Sequence, residues 1–175
     1  MHPHVSVISS GLRLRQGLIL LVGALAILLL IGGSPSGFFW TPLSVGLTYL
    51  VGALAGGRRG SYWATAVVLV GWGAAVGAVH AFSPNLDTAG VYLFGAGLGA
   101  CAGAVLARRG VAVDPLGMAA TIAAAGGLLA LEPRISSVLG DARSYALFLA
   151  VVGVVNLALA LVPDPGRRAS THSAG

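Results

Sequence analysis

The chain predicts an all-α membrane protein of six transmembrane helices, arranged as three tandem hairpin repeats with both termini cytoplasmic. Three observations carry this. Six apolar segments lie at about 17–33, 41–57, 61–82, 90–107, 115–131 and 144–162. Each approaches the ~17–25 residues needed to cross the hydrocarbon core of a bilayer. Pro35, Pro84 and Pro133 recur 49 residues apart, each after an apolar run. The second run of each pair is followed by an arginine pair: Arg58-Arg59, Arg108-Arg109 and Arg167-Arg168. The chain thus reads as one hairpin written three times, at about 17–57, 61–107 and 115–162.

Composition excludes a soluble domain. Apolar residues make up 57% of the chain and charged residues 9%, against about 25% charge in a typical soluble protein. So few charges cannot cover a water-facing surface. The segments are too long and too uniformly apolar for strands, and no ten-residue alternation suggests a barrel. A backbone inside lipid must satisfy its own polar groups, which leaves helices. The net charge is +5, with ten arginines and no lysine. The arginines lie between apolar runs rather than in a stripe, which argues against a nucleic-acid partner. The absence of lysine and the abundance of Ala, Gly and Val suggest a GC-rich bacterial source. Cys101 is the only cysteine, so no internal disulfide forms and no cysteine-based metal site is suggested.

Arginine placement orients the segments. Arg13, Arg15 and the three arginine pairs fall on one side of a six-helix arrangement; Arg134 and Arg143 fall on the other. Cytoplasmic loops carry the basic excess. Residues 1–16 are then a cytoplasmic N-terminal segment, 17–162 the transmembrane domain and 163–175 a polar, disordered cytoplasmic tail. The run from Gly17 to Ile31 has the look of a signal-peptide core, but Gly32-Gly33-Ser34-Pro35 lacks a small-x-small cleavage site, so it is read as the first span. The expected location is the inner (cell) membrane, with the lipid bilayer as the constant partner.

The outer loops differ. The first carries Phe38, Phe39 and Trp40, suited to an interface. The second carries Asn85 and Asp87. In the third, Ile135, Val138, Leu139 and Ala142 follow helical spacing among Glu132, Arg134, Asp141 and Arg143. Residues 133–143 therefore predict a short amphipathic helix on the outer surface, an interfacial anchor or a recognition element.

Small residues recur every fourth position: Gly95, Gly99 and Gly103 in the fourth segment, Gly73, Gly77 and Ala81 in the third, Ala119, Ala123 and Gly127 in the fifth. Such stripes let helix backbones approach closely. Packing of helices 3, 4 and 5 within one chain is the expected use; a homo-oligomer interface on helix 4 is the alternative. No ionisable residue lies well inside a segment, which argues against a proton relay. His80 sits near the outer end of the third segment, where it could pair with Asp87 as a pH-sensitive contact or serve as an interfacial histidine alone. Asn156, near the middle of the sixth segment, is costly to leave unpaired and is expected to make an interhelical hydrogen bond, or else a substrate contact. Trp72 lies mid-segment, away from the interface where tryptophan is enriched, and either fills a gap or faces a cavity. Ser44, Thr48 and Tyr49 cluster in the second segment, while Thr65 and Thr121 stand singly. No catalytic signature appears, so no enzyme activity, cofactor or metal is expected.

The plan resembles the HdeD-type acid-resistance membrane protein family, small bacterial proteins of six helices in repeated hairpins. The matching features are Ser34-Pro35, Ser83-Pro84 and Glu132-Pro133, the inner arginine pairs and the glycine-rich helices, over about residues 12–168. That family commonly has tryptophan before the proline, where this chain has Ser, Ser and Glu. The resemblance implies a role in envelope or acid stress tolerance and carries no catalytic residues with it. Two functions follow as expectations. One is a non-enzymatic membrane protein in stress tolerance or in assembly with a membrane-protein partner. The other is a small transporter or channel for a neutral or weakly polar solute. Reporter fusions after Ser36 and after Arg59 should report opposite sides of the membrane; the same side for both would contradict the topology.

Overall fold

The computed structural model describes residues 10–31, 37–82, 88–139 and 141–161; for Ser10 and for 128–139 it describes the backbone alone. Pro35, Pro84, Asn85, Asp87, the Arg167-Arg168 pair and the tail lie outside the described residues. Within them the chain is helical, with no strand. Six helices follow one another: α1 (Ser10–Leu30), α2 (Thr41–Ala55), α3 (Trp63–Phe82), α4 (Thr88–Arg108), α5 (Pro115–Leu139) and α6 (Ala142–Leu161). Two 3-10 turns, Phe38–Trp40 and Gly57–Arg59, lead into α2 and α3.

Five helical stretches, belonging to α1, α2, α3, α4 and α6, are long and apolar enough to cross a membrane. The fully described part of α5, Pro115–Gly127, is apolar but shorter. The surface is inverted relative to that of a water-soluble protein. Leu29, Leu93, Phe94, Leu147 and Phe148 are all more than 60% exposed. Apolar exposure on this scale requires a nonaqueous surround, consistent with a helical membrane bundle.

Close contacts between glycines and their neighbours give the packing. Gly46 of α2 faces the backbone of Leu69 and Val70 on α3, and Gly73 of α3 faces Pro42 and Leu43. Gly71 meets Gly95 and Gly99 of α4, and Gly99 meets the Val67 carbonyl. At these points a methyl group would overlap main chain, so only glycine fits. The pairings run in opposite directions, which makes α3 antiparallel to both neighbours. Gly17 and Gly153 place α6 antiparallel along α1, while Gly23 lies against Thr48 of α2. The helices therefore alternate in direction, and Arg13, Arg15, Arg58, Arg59, Arg108 and Arg109 gather at one end. Gln16, buried near that end, donates a long 3.4 Å hydrogen bond to the Gly52 carbonyl.

Gly95, Gly99 and Gly103 face α3 and Met118 of the same chain, and Gly73 and Gly77 face α2 and the Trp40 ring. The α5 stripe behaves differently: Ala119, Ala123 and Gly127 are exposed, and α5 instead turns Gly117, Met118, Thr121 and Ala125 inward. The first helix begins at Ser10 rather than at 17, and includes Arg13 and Arg15. Residues 133–139 are helical as expected but continue α5 without a break. A proline removes one N–H from a helix, and membrane helices tolerate this where surrounding groups compensate. The three hairpins are also not equivalent. The arms of the first two pack together, but α6 lies along α1 while α5 leans on α3 and touches α6 only lightly.

Gly99→Ala should destabilise the bundle by about 1–3 kcal/mol through overpacking. Gly97→Ala, two residues away with open space around it, should be neutral or stabilise by up to about 1 kcal/mol. Unfolding in mixed micelles distinguishes the two; equal effects would contradict the packing.

Candidate functional site

Because α5 stands off from α6, a cavity of about 430 Å³ lies between α2, α3, α5 and α6. Its walls have different chemistry. Tyr49, Trp72, Tyr145 and Phe148 supply an aromatic side, and Gly117, Ala120, Ala124 and Ala125 a small-residue side on α5. From Thr65 to Trp72 along α3 the cavity extends about 10 Å, at 1.5 Å per residue. Ala120, Ala124 and Phe148 are exposed as well as lining. They lie within the helices rather than at their ends, so the mouth opens sideways between α5 and α6.

The polar groups of the lining are hydroxyls and one indole. The Thr121 hydroxyl donates to the Gly117 carbonyl at 2.7 Å, which uses its single proton. In the 3.4 Å contact between the Thr65 and Thr121 hydroxyls, Thr65 is therefore the donor. This pair, read from the sequence as two isolated threonines, ties α5 to α3 at the arginine end of the cavity. Among the described residues, no charged side chain lines the space. An ion moved here from water would meet no counter-charge, whereas a neutral molecule with one or two polar atoms would meet hydroxyls and aromatic faces.

Among the described candidate residues His80, Asn156 and Trp72, it is Trp72 that belongs to this site. Of its two readings, gap filler or cavity wall, its position is in the wall. Its ring is 8% exposed, and its Nε1 has no acceptor among the described residues. His80 lies nearer the opposite end of α3. Its Nδ1–H donates to the Val76 carbonyl at 2.9 Å, and its ring stacks on Phe39 at 3.4 Å. The expected pairing with Asp87 lies outside the described residues. Glu132 and Arg134 lie in α5, where only backbone is described. Asn156 lies outside the cavity lining. Within α6 its Nδ2 donates to the Val152 carbonyl at 2.8 Å, and its carboxamide also acts on the Tyr62 phenol before α3. No group of His, Cys, Asp and Glu among the described residues could hold a metal.

Next to the cavity, Tyr49 and Tyr62 meet edge to face with centroids 5.2 Å apart. Tyr62 precedes α3. Its phenol is pushed up to about 12, first by burial and then by the Tyr49 phenol, with the Asn156 carboxamide pulling the other way. That pull is close-range polarity, since the buried Tyr62 hydroxyl has no hydrogen bond of ordinary geometry.

The unfolded phenol ionises near 10. Between about pH 10 and 12 the unfolded chain releases a proton that the folded chain keeps, so stability falls as pH rises. Tyr62→Phe should flatten this part of the alkaline stability profile, measured by unfolding in mixed micelles; an unchanged slope would contradict the assignment.

No family model, curated protein or solved structure matches the chain. The resemblance to the HdeD-type family thus rests on the sequence pattern of prolines, arginine pairs and glycine-rich helices.

Proposed function

We propose that this chain is a non-enzymatic, multi-pass inner-membrane protein that binds a neutral, weakly polar solute between α2, α3, α5 and α6 and passes it as a small transporter or channel. In this reading all six helices cross the membrane, α5 included, and both termini are cytoplasmic. The six described arginines at one end support that orientation through the positive-inside bias.

The sideways mouth is the observation that carries the reading. A cavity entered between two helices takes its occupant from the lipid phase. Its uncharged lining suits a solute that already partitions there. The alternative role, in envelope or acid stress tolerance or in membrane-complex assembly, draws on the family pattern and on exposed apolar surface for which lipid alone accounts. The cavity therefore favours the solute reading.

Trp72 gives a built-in reporter. In a Trp40→Phe, Trp63→Phe background it is the only tryptophan, since the chain has three. A neutral brominated alcohol dissolved in the vesicle bilayer should quench its fluorescence saturably, and Ala124→Phe, which narrows the mouth, should weaken that binding at least tenfold. Linear quenching that is identical in both proteins would contradict the proposal.

A further inference from the structure

The arginine end of the bundle carries a second feature, separate from the cavity. The turn between α2 and α3 and the turn between α4 and α5 are joined directly: the Ala112 N–H donates to the Arg58 carbonyl at 2.7 Å. Each turn contains a glycine in the left-handed region beside its arginine pair, Gly57 at φ 67° and Gly110 at φ 81°. The first turn is further held by the Trp63 indole N–H, which donates to the Gly57 carbonyl at 2.8 Å. Four guanidinium groups, on Arg58, Arg59, Arg108 and Arg109, are thereby carried on one braced platform. At most about 11 Å of chain separates Ala112 from Arg109, at 3.8 Å per residue.

Among the described residues, no carboxylate pairs with the platform's arginines, and all four are exposed. The nearby carboxylate, Asp114, is committed to the start of α5, where it accepts the Leu116 and Gly117 N–H groups at 3.1 and 3.0 Å. Four cations against that one carboxylate leave a formal +3 across the two turns. Apolar side chains flank the turns on the helix side: Leu54 is 60% exposed, Val105 50% and Leu116 76%.

We propose that the joined turns bind the headgroup of an acidic glycerophospholipid. The guanidinium forks engage its phosphate, and its acyl chains lie against the exposed apolar residues that flank the turns. A lipid suits both halves of this surface, since the cationic platform sits where apolar helix ends and polar turn begins. Basic residues in this position are attracted to anionic membrane surfaces. Free inorganic phosphate would use the guanidinium groups alone.

Native mass spectrometry of the full chain, delipidated and titrated with phosphatidylglycerol or phosphatidylcholine in mixed micelles, tests the assignment. Phosphatidylglycerol should be retained at least tenfold more strongly than phosphatidylcholine. The doubles Arg58→Gln/Arg59→Gln and Arg108→Gln/Arg109→Gln, each checked for intact helicity by circular dichroism, should each lower retention severalfold. Arg143→Gln, at the other end of the bundle, should leave it unchanged. Equal retention of the two lipids would overturn the proposal, as would retention unaffected by either double. A loss confined to one double would remove the joined platform. Displacement of the lipid by millimolar inorganic phosphate would reassign the site to free phosphate.

Discussion

The backbone of α3 comes into near contact with two other helices at once, and the rest of the bundle is arranged around that double approach. On one side Gly46 and Gly73 let α2 in; on the other Gly71, Gly95 and Gly99 let α4 in. Lipid tails are as apolar as leucine, so burying a leucine between helices gains little over leaving it in the bilayer. Helices in lipid are held by dispersion over closely fitted surfaces and by hydrogen bonds. Removing side chains where two backbones cross is the direct way to increase the first of these. The glycines of α3 serve that purpose on two faces, making α2, α3 and α4 a slab.

The other helices attach to this slab by different means. α1 joins α2 where Gly23 lies against Thr48, and α6 joins α1 where Gly17 and Gly153 meet. α5 meets α4 through a side chain, Met118 against Gly103, rather than through backbone. It rests on α3 through the Thr65–Thr121 hydroxyl contact, through Gly117 against Ala64 and through Ala125 beside Trp72. Because α6 is committed to α1, α5 touches it only lightly, and the space between them is the cavity. The site is thus a consequence of unequal packing. Two close glycine contacts on α3 and one between α1 and α6 use up the well-fitted surfaces, and the least tightly held helix forms the wall of the opening.

Much of this was legible in the sequence, within limits set by what periodicity encodes. The apolar runs located the helices, and the Gly95, Gly99, Gly103 spacing identified the face of α4 that packs. Small residues at one spacing do not say which helix meets them, however. The Ala119, Ala123, Gly127 stripe had the same pattern and lies exposed, because α5 turns Thr121 and Ala125 inward instead. The Thr65–Thr121 pair joins residues 56 positions apart, and no local pattern marks such a contact. Helical spacing over 133–143 predicts a separate short helix, whereas α5 runs on through Pro133 to Leu139. Equal proline spacing suggested three like hairpins, but their packing depends on which neighbour offers a closer fit. Among the described candidates Trp72 lies in the cavity wall, and the sequence marks it because a tryptophan far from the interface needs a reason to be there.

In the proposed function the space behind α5 communicates with the lipid phase. A neutral alkyl diazirine, partitioned into vesicles containing the protein and photolysed, tests it most directly when the adducts are mapped by peptide mass spectrometry. Labelling is expected at Leu69, Trp72 and Ala125, which line the cavity, alongside the outward-facing residues Leu93 and Leu98. Labelling confined to outward-facing residues, with Leu69, Trp72 and Ala125 unmodified, would contradict it.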